Sequence, residues 1–112
     1  MDGVLVNSEP LHHQVCQVQF KNLNTSVPDE LFATFTGNSN KMIYEKLKNQ
    51  FGLKEEIEDL ISEKNRLFIE AFTNDSTHHL IDGVKNLIIG LHRKGMQLIV
   101  ASSSEMEIID AI

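Results

Sequence analysis

Cysteine, long apolar runs and clusters of basic residues are all scarce in this sequence. Cys16 is the only cysteine among the 112 residues, which excludes an intrachain disulfide and any zinc-ribbon pattern. No apolar run approaches the roughly 20 residues that span a bilayer. The N-terminus also lacks the basic-then-apolar layout of a signal peptide. We therefore expect a cytoplasmic protein with no membrane partner.

Positive charge is also sparse. Sixteen acidic residues outnumber ten Lys and Arg, which gives a net charge of -6. Binding to a phosphate backbone depends on concentrated Lys and Arg, so nucleic acid is not expected as a partner. Hydrophobic residues make up 41% and charged residues 23%, as in ordinary folded domains. The length suits one domain, or a small domain inserted in part of another.

Apolar residues recur at helical spacing through most of the chain. They predict a helix from about 10 to 23, which Ser8 could cap, and a short one from about 28 to 35. Two more are expected, one that Ser39 caps and Gly52 ends, and one that ends near Phe72. A polar linker is expected over 74–79. After it, Asp82-Gly83 introduces a helix that Gly95 stops, and Ser104 with Glu107 forms a capping box for a last helix.

Two short apolar segments lie outside this helical pattern. Val4–Val6 and Leu98–Ala101 lack polar alternation, which is typical of strands buried on both faces. We expect them to be adjacent parallel strands that bring Asp2 and Ser102 to one edge. A strand at each end with helices between predicts an α/β fold with a helical insertion. Because two strands cannot make a stable sheet, we expect this chain to be part of a larger protein.

The first thirteen residues, MDGVLVNSEPLHH, hold the most specific motif. An Asp-Gly pair can mark a hairpin turn, but Val4–Val6 does not alternate and no second hairpin strand is visible. The segment resembles the D-x-D-G-[VT]-[LI]-x-[DN]-[ST] signature of haloacid-dehalogenase-superfamily phosphotransferases, and most resembles their β-phosphoglucomutase-like branch. The resemblance implies that Asp2 is the general acid and that its backbone carbonyl ligates Mg²⁺. It also places the nucleophilic aspartate immediately before Met1.

The segment Leu98–Ser104 resembles the second motif of the same superfamily, an apolar strand that ends in Ser or Thr. The resemblance implies that Ser102 holds the phosphoryl group and that the backbone N–H of Ser103 is a second donor. By itself, the pattern is also explained by a plain serine helix cap. The resemblance further divides the chain into the start of a partial Rossmann-like core (1–9), an inserted four-helix cap domain (10–78), and a continuation of the core (79–112).

The segment from Thr36 to Ser39 lies where the branch carries its substrate-specificity loop. The resemblance makes Gly37, Asn38 and Ser39 candidate substrate-binding residues, although a helix-breaking glycine with a serine cap explains the loop equally well. Mutase members tend to have basic residues that flank this glycine. Here Thr36 and Asn40 stand at those positions, which favours a phosphatase.

His12 and Cys16 share one helical face, but two ligands are too few for zinc. His12 matches a hinge-region histidine of the branch, which implies a role close to the substrate or a structural one. Glu9 also falls in the hinge segment, and a solvated carboxylate at a helix start explains it as well.

The resemblance implies a monomeric, Mg²⁺-dependent hydrolase that acts on a small phosphorylated metabolite, such as a sugar phosphate. Two alternatives stay open: a phosphomutase of the same branch, and a non-catalytic remnant with the same fold. A dehalogenase is disfavoured, because that branch keeps no acid at the position of Asp2. The later lysine and acidic pair of the superfamily are not in this sequence, so we expect this chain alone to be inactive.

Overall fold

The computed structural model describes residues 1–75 and 80–112. Six helices form in these ranges, and each corresponds to a predicted one. Their bounds are α1 Glu9–Asn22, α2 Asp29–Ala33, α3 Asn40–Phe51, α4 Ile57–Asn74, α5 Val84–Arg93 and α6 Met106–Ala111. No helix in the described ranges is long and apolar enough to cross a bilayer. Most of the predicted linker, 76–79, lies outside the described residues.

The ends of α3 follow from the two residues that flank it. The Ser39 hydroxyl accepts a hydrogen bond from the backbone N–H of Met42 at 3.3 Å, which gives one unpaired amide of the first turn a partner. Gly52 ends the helix at φ 64°, and its N–H donates to the carbonyl of Lys48. Only glycine adopts that left-handed conformation at little cost. Both predicted helix boundaries are confirmed.

The first core cluster joins α1, α3 and α4. Its buried members are Phe20, Phe35, Tyr44, Leu47 and Leu60. One polar side chain, Gln19, is buried with them and fully engaged. Its amide donates to the carbonyl of Leu60 at 2.7 Å, and its side-chain oxygen accepts from the hydroxyl of Tyr44. A buried amide costs little free energy when its hydrogen bonds are made. Because the partners of Gln19 lie on α3 and α4, these bonds fix the register between the three helices.

A second cluster brings α6 against α1 and α4. It consists of Leu11, Val15, Phe68 and Ile108, each at most 8% exposed. Beside it, the amide of Asn65 donates to a carboxylate oxygen of Glu107 at 2.7 Å. Docking of α6 sets the position of the preceding residues 102–104, which we call the serine segment. These residues thereby reach the N-terminal end of the chain.

The two predicted strands are not formed in the described residues, so that prediction is wrong. Gly3, at φ 68°, turns the chain, and the amides of Val4, Leu5 and Val6 all point to the carbonyl of Met1. Within the described ranges, the only β-type contacts are isolated bridges from Val6 to Asp2 and to Leu80. A buried strand needs neighbours for its backbone N–H and C=O groups.

The segment Leu98–Val100 shows the same lack of neighbours. Its three side chains are 45%, 90% and 59% exposed, respectively. These residues were expected to be buried on both faces, and here they lie on the surface. A sequence pattern indicates that a segment can be buried, whereas the neighbouring strands decide whether it is. The predicted parallel core is therefore not shown by this structure.

The predicted capping box at the last helix is also wrong. The N-cap of α6 is Glu105, without a side-chain cap hydrogen bond, and the helix begins at Met106. The hydroxyl of Ser104 instead donates to a carboxylate oxygen of Asp2 at 3.0 Å. A hydrogen bond to an ionised carboxylate is stronger than one between neutral groups, which explains why Ser104 turns away from its own helix.

The molecule is elongated, with extents of 54 × 25 × 24 Å and a radius of gyration of 16.1 Å. A compact domain of this length has a radius of gyration of about 13 Å. The protruding part is α5, which packs against no other helix of the described residues. The side chain of Leu87, in the middle of α5, is 61% exposed. The division into 1–9, 10–78 and 79–112 stays a prediction.

Candidate functional site

A cleft of about 800 Å³ opens between the N-terminal end of the chain, the loop before α3 and the serine segment. Its size is in the usual range of small-molecule sites. It is lined by every residue that the sequence singled out for the site, namely Asp2, His12, Gly37, Asn38, Ser39, Ser102 and Ser103. Four separated stretches of chain therefore meet at one place.

Asp2 is held by two serine hydroxyls. Ser8 donates to Oδ1 and Ser104 donates to Oδ2. Partial burial by itself raises the pKa of Asp2, but these two hydrogen bonds, together with the nearby His12 and the N-terminal ammonium, hold the pKa below its ordinary value. Asp2 is thus a carboxylate in this arrangement, with both oxygens engaged. It is set to accept a proton, and it must take one up before it can donate.

His12 forms the wall next to Asp2. Its Nε2 lies 3.6 Å from Oδ1 of Asp2, and its ring stacks on Phe68 with 4.2 Å between ring centroids. Burial and the nearby charge of Lys64 lower the pKa of His12 to about 4, although Asp2 opposes the shift. His12 is therefore neutral near neutral pH and does not add a positive charge to the cleft. Its Nδ1 is buried without a hydrogen-bond partner in the described residues.

The serine segment presents hydroxyls to the cleft. Ser102 is half-buried, and its Oγ accepts a hydrogen bond from the backbone N–H of Ser104 at 3.2 Å. That bond occupies a lone pair and leaves the hydroxyl proton of Ser102 available to an anionic ligand. Ser103 is exposed beside it. The sequence pointed to Ser102 and Ser103 as site residues, whereas it indicated Ser8 and Ser104 only as helix caps. In the structure, Ser8 and Ser104 bind Asp2.

Lys64 is a cleft residue that the sequence analysis missed. Its side chain is largely buried, at 8% exposure, and its ammonium donates to Oδ1 of Asn40 at 3.1 Å. The signal was present in α4, where Leu60, Lys64 and Phe68 follow at intervals of four residues. A lysine in register with two buried apolar residues lies on the inward face of its helix.

The described residues contain no group of three or more His, Cys, Asp or Glu that could hold a metal ion. Mg²⁺ prefers an octahedral set of oxygens that includes one or two carboxylates. Both carboxylate oxygens of Asp2 are already bound by serines, so the described residues do not make a complete magnesium site by themselves. The pair His12 and Cys16 likewise makes no zinc site, and burial raises the pKa of the Cys16 thiol.

Comparison with known proteins adds one finding. The family model of the haloacid dehalogenase-like hydrolases matches residues 1–112. The match spans both sequence motifs and the helices between them, and this family suggests an α/β fold. No curated protein and no solved structure matches the chain.

Proposed function

This chain belongs to the haloacid dehalogenase-like hydrolase family, and we propose on that premise that it serves the hydrolysis of a small phosphomonoester such as a sugar phosphate. One observation carries the proposal. The hydroxyl of Ser104 donates to Oδ2 of Asp2 at 3.0 Å, although the two residues are 102 positions apart in sequence. An acid–base group and a row of hydroxyls at one point are what transfer of a phosphoryl group requires of the protein.

In this proposal, the residues of the chain bind the phosphate group and exchange protons with the departing oxygen and with water. The hydroxyl of Ser102 donates to a phosphate oxygen, and the backbone N–H of Ser103 adds a second donor. Asp2 first takes up a proton from solvent and gives it to the departing oxygen, and the carboxylate that results later takes a proton from the attacking water. His12, neutral and stacked on Phe68, excludes water from one side of Asp2.

The nucleophile and Mg²⁺ belong to the same proposal. Resemblance to the family signature places the nucleophilic aspartate immediately before Met1, with a lysine and further carboxylates in later motifs. Bound Mg²⁺ would neutralise charge on the phosphate oxygens. Since the described residues do not form a complete site for that ion, we propose that the chain is inactive without the added residues.

The loop before α3 favours hydrolysis over mutase chemistry. A mutase must also grip a second phosphate, and Thr36 and Asn40 flank Gly37 where basic side chains would do so. Moreover, the side chain of Asn40 is already engaged by Lys64 and Glu105.

The test compares this chain with a parent that carries the preceding aspartate and the later motifs. Both are assayed on a panel of sugar phosphates with and without EDTA. We expect turnover only by the parent and only without EDTA. In the parent, Asp2→Asn is expected to lower kcat by roughly 10²–10⁴-fold, as for loss of a general acid, and to change substrate binding much less.

Asp59→Asn is the matched control, because Asp59 is exposed in the first turn of α4 and does not line the cleft. It is expected to leave kcat unchanged. EDTA-resistant hydrolysis by the 112-residue chain, or an unaffected Asp2→Asn parent, contradicts the assigned roles. A parent inactive on every phosphomonoester supports the non-catalytic alternative.

A further inference from the structure

Asn40 joins two charged residues at the mouth of the cleft. It is the first residue of α3. Its side-chain oxygen accepts from the ammonium of Lys64 at 3.1 Å, and its amide nitrogen donates to Oε1 of Glu105 at 3.0 Å. Since both ends of the amide are used, its orientation is fixed. The carboxylate of Glu105 is thereby tied to the loop that faces the serine segment.

Glu105 has a free acceptor at this position. Its side chain is exposed and lines the cleft, and its second oxygen, Oε2, has no hydrogen-bond partner among the described residues. An ionised carboxylate only accepts hydrogen bonds. A ligand group next to Glu105 must therefore be a donor, such as a hydroxyl, and cannot be an anion without repulsion.

The other charges of the cleft do not offset this repulsion. Its lining contains three acidic side chains and two lysines. One of the lysines, Lys64, is buried, and its ammonium donates to Asn40, which in turn binds Glu105. The other, Lys41, is exposed like Glu105, but no side-chain hydrogen bond to a described residue fixes its position, whereas Asn40 holds Glu105. His12 adds no charge near neutral pH, as shown above.

We propose that Glu105, held in place by Asn40, determines specificity by excluding a second phosphate, so that the ligand carries one phosphate and an uncharged, hydroxyl-bearing remainder. The inference rests on the proposed function, because it assumes that a phosphate occupies the end of the cleft at Ser102. It adds the chemical class of the other end of the ligand. Rejection by a fixed like charge is a recognised source of specificity.

The test measures binding, so it needs neither the metal nor turnover. The 112-residue chain is titrated with fructose 6-phosphate and with fructose 1,6-bisphosphate by calorimetry, at low salt and without divalent ions. The measured quantity is the ratio of the two dissociation constants. We expect the monophosphate to bind about tenfold more tightly, as like-charge juxtaposition at a polar site produces a preference of at least that order.

Three variants identify the residue responsible. Glu105→Gln keeps the size of the side chain and one oxygen that can accept from Asn40, but it removes the charge, and it is expected to bring the ratio close to one. Glu105→Lys is expected to reverse the preference. Glu107→Gln is the matched control, because it removes the same charge from the same segment, contacts Asn65, and does not line the cleft. It is expected to keep the ratio of the unmodified chain.

Each outcome decides something. A thermal melt of every variant confirms that α6 stays docked, and the exposed position of Glu105 predicts that it does. If the chain binds the monophosphate and Glu105→Lys leaves the ratio unchanged, the inference is wrong while the proposed function stands. If the unmodified chain binds neither ligand at millimolar concentration, both the inference and the assignment of the cleft as a phosphate site are wrong.

Discussion

Acidification is expected to destabilise the fold through His12. The pKa of His12 is lowered from 6.5 to about 4 in the folded chain, so the folded state favours the neutral imidazole. As the pH falls below about 6.5, the unfolded chain takes up the proton first, and the free energy of unfolding decreases until about pH 4. At about 1.4 kcal/mol for each pKa unit, the loss is about 3 kcal/mol.

The structure identifies the cause of this shift. The ring of His12 is buried and stacks on Phe68, and the ammonium of Lys64 lies near it. Protonation of the ring is unfavourable, because it places a positive charge in a buried position and close to the positive charge of Lys64. His12→Phe is the informative change, because phenylalanine can stack on Phe68 but does not titrate. It should remove most of the decrease between pH 6.5 and 4 without abolishing folding.

Urea denaturation at intervals from pH 7.5 to pH 4 measures the effect. Asp2 contributes little to the decrease in this pH window. Its folded pKa is lowered from 3.8, so its stabilisation is present at higher pH and is lost mainly as the pH falls through 3.8 and below. His92→Gln, at an exposed position of α5, serves as the control and should keep the slope. The same pH dependence in His12→Phe and in the unmodified chain would refute the reasoning.

Three further changes test the fold by urea denaturation. Tyr44→Phe removes the hydroxyl that donates to buried Gln19 and should lower the free energy of unfolding by about 1–3 kcal/mol. No change would mean that the amide of Gln19 finds another partner. Ser39→Ala removes the cap on the N–H of Met42 and should lower stability by about 1 kcal/mol, whereas Ser39→Asp should restore it. Ile99→Ser should change stability by less than about 0.5 kcal/mol, because Ile99 is 90% exposed, and a large loss would show that this side chain is buried in solution.

The helices could be predicted because their signals are local. Ser39 and Gly52 satisfy backbone groups within one turn of themselves, and periodic apolar residues mark an inward face wherever the helix finally packs. The strand segments differ in this respect. Val4–Val6 and Leu98–Ala101 are suited to burial, but the backbone partners of a strand come from elsewhere in the chain. Their apolar character alone was not enough to predict their conformation here.

The sequence indicated some residues of the candidate site and missed others. Asp2 and Ser102 were expected to meet at one edge of a sheet, and both line one cleft here although the strands are not formed in the described residues. Their roles stay predictions. The residues that hold the acid were missed, because Ser8 and Ser104 also fit the statistics of helix caps. Lys64 was missed for another reason. Its importance depends on which helix faces the cleft, and that follows from tertiary packing rather than from any short motif.

Among the described residues, the cleft forms without a sheet, because apolar packing rather than strand pairing positions its two ends. Ile108 is 3% exposed between α1 and α4, and the serine segment lies only a few residues before it. His12 and Phe68, which stack on each other, belong to the same two helices. The distance between Asp2 and Ser104 is therefore set by one apolar cluster on one side and by Ser8 at the start of α1 on the other. Changes in the packing of α6 act directly on the hydrogen bonds of Asp2, so stability and the state of the acid are coupled in this chain.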